Sequence, residues 1–179
     1  MSIWSKLGLG PREPDPRSSA ERDTVRRIVD ELDGLPLERA RHIASFAFLL
    51  SRVARADLHV SDEETRAMER IVVARGGLPE EQAMIVVQMA KTQSLLFGGT
   101  DNYSVTKEFA RSASREDKLA LLECAFAVSA ADGGVSTAED VVLRQMADEL
   151  GLEHRDFIAV RSRFREHLGV LRPDDDAGR

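Results

Sequence analysis

Four carboxylates in the chain share one spacing. Asp57 precedes Glu64 by seven residues, Asp132 precedes Glu139 by seven, and the second pair follows the first at an offset of 75. Each aspartate sits where an apolar, alanine-rich run ends, "SRVARAD" and "AVSAAD". A helix ending there would place an acid on an end that is already negative. Carboxylate oxygens are hard ligands, which suit magnesium, calcium or manganese rather than copper or zinc. Four of them around one cleft repel unless a cation or a proton is shared. The eight residues from Asp132 to Glu139 are too few for an EF-hand loop, which takes about twelve with oxygen ligands at alternate positions. Any ion held here is therefore expected to be shared between the two turns, half-hydrated and weakly bound. A second reading needs no ligand. Ser61 with Glu64, and Ser136 with Glu139, have the spacing of a capping box, in which each residue bonds the other's backbone amide. Asp57 and Asp132 then accept hydrogen bonds from the turn amides that follow them.

The elements that must position these groups read almost entirely as helix. Apolar residues recur at helical spacing in segments 18–32, 36–57, 61–75, 79–97, 104–112, 114–132, 136–150 and 153–168, and none shows sustained two-residue alternation. Pro36 and Pro79 suit first helical turns, and Gly76-Gly77 and Gly98-Gly99 suit helix stops. The class expected is all-α, a bundle of about eight helices. Residues 1–17, with three prolines in "GLGPREPDPR", read as an amino-terminal segment and linker, residues 18–170 as one helical domain, and 171–179 as a polar tail. With Asp57 set over Asp132, Val60 falls on Val135, Ser61 on Ser136, Glu64 on Glu139 and Gly76 on Gly151. Two similar units, about 36–97 and 114–170, are expected to pack their apolar helices together about a pseudo-twofold axis. Phe46, Phe48, Leu49, Leu50 and Val53 from one, and Leu119, Leu122, Phe126 and Val128 from the other, are the expected core.

The doubled motif resembles the tellurite-resistance TerB-like family, over roughly residues 20–168. The second copy carries the family pattern at Ala131, Asp132, Gly133, Val135, Ser136 and Glu139. The first departs from it, with Leu58-His59 where the second has Gly133-Gly134. Leucine tolerates a positive-φ turn poorly, so the two turns need not share one shape. The resemblance implies a helical stress-response module without catalytic activity, and a metal role for the acids at Asp57, Glu64, Asp132 and Glu139.

Composition narrows the remaining classes. The formal charge is −6, and the basic residues are interleaved with acids rather than gathered in a stripe, which argues against nucleic acid as a partner. A single cysteine, Cys124, allows no internal disulfide and reads as a small core residue. His42, His59, His154 and His167 form no ligand-spaced pair on one helix. Neither serine motif contains a histidine base, and no phosphate loop lies between a strand and a helix. The longest apolar run, "IASFAFLL", is well short of the ~20 residues a spanning helix needs. Ile3, Trp4, Leu7 and Leu9 give residues 1–9 an apolar character that suits peripheral contact with a membrane or docking on a partner. Pinning to the body of the chain's own domain is the plainer alternative. A cytoplasmic protein with a protein partner, or a homodimer, is the expectation.

Overall fold

The computed structural model describes residues 19–53, 62–92, 102–131 and 134–168. The expected linker 1–17, the tail 171–179, and the motif residues Asp57, Leu58, His59, Val60, Ser61, Asp132 and Gly133 lie outside them. The described residues form eight α-helices: α1 Ser19–Asp33, α2 Leu37–Ser51, α3 Asp62–Gly76, α4 Glu80–Lys91, α5 Asn102–Ser112, α6 Arg115–Ala131, α7 Thr137–Glu149 and α8 His154–Ser162. A 3-10 turn, Arg165–His167, closes the described chain. The all-α expectation holds.

Two helices are buried almost all round. From Ile43 to Ser51, α2 leaves only Ser45 outside the buried class, and α6 buries Leu121, Leu122, Cys124, Ala125, Phe126, Val128 and Ser129. A helix apolar on every side belongs at the centre of a bundle. These two do meet, but over a short stretch; α2 lies chiefly on α4, and α6 chiefly on α3. The corresponding pairing of α2 with α7 is slight among the described residues, so their helix pairings are unequal between the halves. Of the nine expected core residues, eight are buried and Leu119 is only partly so.

Two aromatic clusters lie in the core. His42, Phe46 and Phe109 gather where α2 meets α5, with the His42 and Phe109 rings 5.1 Å apart. Phe126 stacks on Phe164 at 5.5 Å and tilts against Phe157 at 5.9 Å. At the end of α3, Gly76 lies against Phe46 of α2, where an added Cβ would be 3.1 Å from the ring. Gly76 is thus the last residue of α3, and the stop falls on Gly77 at φ 64°.

Several helices end earlier than their apolar patterns suggest. The first apolar helix was expected to run to Asp57 and ends at Ser51; the segment expected to run to Phe97 ends at Lys91; the last ends at Ser162 rather than Leu168. Hydroxyls mark these ends. Ser51 Oγ donates to the Phe48 carbonyl at 2.6 Å, Thr92 Oγ1 to Gln88 at 2.7 Å, and Ser162 Oγ to Ala159 at 2.9 Å. Ser112 Oγ does the same with Glu108 at the end of α5, at 3.0 Å. Such a bond offers a terminal carbonyl an alternative to the next turn's amide. The end of α7 is a different device. Gly151, at φ 70°, donates to the Asp148 carbonyl and Leu152 to the Ala147 carbonyl, both at 3.0 Å, while Leu152 is buried. That is a Schellman stop, which requires a residue tolerant of positive φ at its centre.

The clamped second turn and the groove beside it

Of the four expected site residues, Glu139 is the one whose side chain is described. Asp57 and Asp132 lie outside the described residues, and so does the Glu64 side chain, although Glu64 belongs to the first turn of α3. The second turn is fixed where it enters α7, at Val135 and Ser136. α6 ends at Ala131, Gly134 takes φ 120°, and the Val135 amide donates to the His167 carbonyl at 2.7 Å. Val135 and Leu168 pair as an isolated parallel bridge, and both are buried. A residue just past the acidic motif is thereby tied to the closing 3-10 turn.

Beside it stands the expected capping box. Ser136 Oγ accepts the Glu139 amide at 3.3 Å, and Glu139 Oε2 accepts the Ser136 amide at 2.8 Å and the Ser136 hydroxyl at 2.6 Å. One oxygen of the Glu139 carboxylate is therefore already engaged twice by its own cap. Among the described residues, no group of three or more histidine, cysteine, aspartate or glutamate side chains is placed to hold a metal ion.

The last turn of α6 carries no basic residue. The cations beside it come from elsewhere. Ala130 and Ala131 share a groove of about 480 Å³ with Arg70 and Arg75 of α3 and with His167. Arg75 and Arg163 both bond Glu123, so two guanidinium groups divide one carboxylate, and Arg75 also lies 5.9 Å from the Phe164 ring centroid. The groove and the Val135–His167 clamp join segments distant along the chain. Neither follows a local spacing pattern, so sequence periodicity gave no sign of them. His167, considered in the sequence only as a ligand, contributes its backbone carbonyl.

Two other reactive groups are set by burial. Cys124 is fully buried, and loss of solvent with the nearby Glu123 charge pushes its thiol up to about 12. It is held as a thiol, a poor nucleophile. His42 is driven below its ordinary 6.5, first by burial, with Arg39 acting in the same direction and Asp117 opposing. Elsewhere Arg52 donates to both Glu149 oxygens, at 2.6 and 3.4 Å, linking the end of α2 to the end of α7. Burial alone would raise the Glu149 carboxyl; hydrogen bonds from Arg52 and Gln145 outweigh it and hold the group low.

Fold and turn together define an all-helical module built around an alanine-rich helix, a capped acidic turn and a second helix. Residues 42–162 match the family model described as "Tellurite resistance protein TerB", which is more than half of the chain. The chain belongs to the TerB family. No match was found among curated proteins or among solved structures. No helix among the described residues is long and apolar enough to cross a membrane.

Proposed function

We propose that this TerB-family chain is a non-enzymatic, cytoplasmic binding module of the tellurite-resistance and stress-response type, acting through a protein partner. Asp57 and Asp132 together would supply the carboxylates of a weak divalent-cation site for calcium, magnesium or manganese. The observation that carries this reading is the double anchoring of the second turn, by the Val135–His167 bond and by the Ser136–Glu139 box. A turn fixed on its α7 side costs a bound ion less ordering than a free loop. Glu139 serves this site as the cap that holds it.

The test is a melting series in calcium, magnesium and manganese against the same protein in chelator. The reading expects a rise in melting temperature with at least one ion, absent from Asp132→Ala. The competing reading is a pure interaction scaffold whose acids serve only the turns, and the occupied Oε2 of Glu139 favours it. It expects Asp132→Ala to lower the melting temperature equally with ion and with chelator.

A further inference from the structure

The groove between α3 and α6 is charged against the trend of the molecule. The chain carries a net charge of −6, yet the groove's charged lining is Arg70 and Arg75, beside His167, over a floor of alanines and Ile71. Arg70 is exposed and makes no ion pair or hydrogen bond among the described residues. At its rim Glu123 is shared by Arg75 and Arg163, which leaves local positive charge uncompensated. Such a surface fits a segment that is apolar where it lies on the floor and acidic where it reaches Arg70.

A segment of that chemistry leaves the rim of the groove itself. His167 and Phe164 line the groove, and the chain continues from Leu168 into "GVLRPDDDAGR", residues 169–179. Val170 and Leu171 come first, then Arg172, and Asp174, Asp175 and Asp176 follow; with Arg179 the side chains still sum to −1. Six residues separate Leu168 from Asp174, a span of up to ~20 Å when extended. The α3 lining, from Ala67 to Arg75, covers about 12 Å at the helical rise. Reach, order of chemistry and sign of charge therefore agree. We propose that the α3–α6 groove is a docking surface for an acidic, partly apolar segment, and that its occupant is the chain's own residues 169–179.

The experiment places a nitroxide at Ala177→Cys in the full chain. Cys124 is fully buried and stays unlabelled. Paramagnetic loss of amide signal is then read along the chain. The expected loss centres on Ala67, Ala74, Ala127 and Ala130 and spares α1. It should disappear with Arg70→Glu, with the triple change Asp174→Asn, Asp175→Asn and Asp176→Asn, and in ~1 M salt, where the screening length is ~3 Å. Loss spread evenly over the surface, or loss at the groove that survives both sets of substitutions, overturns the proposal. Loss that fades on dilution with unlabelled protein also overturns it, because the occupant is then a second copy.

Discussion

Ser136 uses its hydroxyl in both directions, accepting from the Glu139 amide and donating to the Glu139 carboxylate. This explains why serine and glutamate stand three residues apart here without reference to any ligand. Ser136→Ala is expected to cost about 1 kcal/mol. For a chain of this size that lowers the melting temperature by roughly 2–4 °C. Calorimetric melts in chelator should show this drop. His42 gives a second residue-level expectation. Its folded value lies below its ordinary 6.5, so the folded state binds the proton less readily than the unfolded chain does. Its contribution is present above pH ~6.5 and is lost as pH falls through the lowered folded value. Urea unfolding at stepwise pH should therefore show a stability loss beginning below neutrality, and His42→Phe should flatten that limb. Glu149 acts in a lower window: its contribution is present above about 4.5 and lost as pH falls through its depressed folded value.

At the scale of elements, helix starts and helix ends were unequally legible. Prolines, capping serines and first-turn acids are local signals, and α4 and α7 begin within a residue of the positions they suggest. Several ends were overestimated because apolar spacing persists past the last helical turn in "SRVARAD", "TQSLLF" and "SRFREHL". The terminating groups there are Ser51, Thr92 and Ser162, whose hydroxyls bond back to carbonyls already within the helix. A serine inside an apolar run gives no hint of which choice it makes, since that depends on what the next turn would pack against. Gly151 is the legible kind of stop. Gly151→Ala, forced into positive φ, is expected to destabilise the protein by about 1–2 kcal/mol in urea unfolding. The amide exchange of Leu152 should rise with it, because its bond to Ala147 belongs to the same stop.

Over the whole molecule, fold class and buried residues followed from periodicity, while the arrangement of the halves did not. Periodicity marked α2 and α6 as apolar helices, and both are largely buried. It did not show that α6 rests mainly on α3, nor that Arg52 and Glu149 join the ends of α2 and α7. Those contacts depend on side chains far apart in sequence, and a motif copied at an offset of 75 carries no information about them. The candidate site divides the same way. The Ser136–Glu139 box was readable from its spacing; the clamp to His167 and the cationic groove were not. The two acid-bearing turns acting as one ion site is the central functional claim, and calorimetric titration of manganese into the full chain tests it most directly. The account predicts a saturable heat with one ion per chain, lost in both Asp57→Ala and Asp132→Ala and weakened in Ser136→Ala. No heat with manganese, calcium or magnesium, or heat that survives both aspartate substitutions, would contradict it.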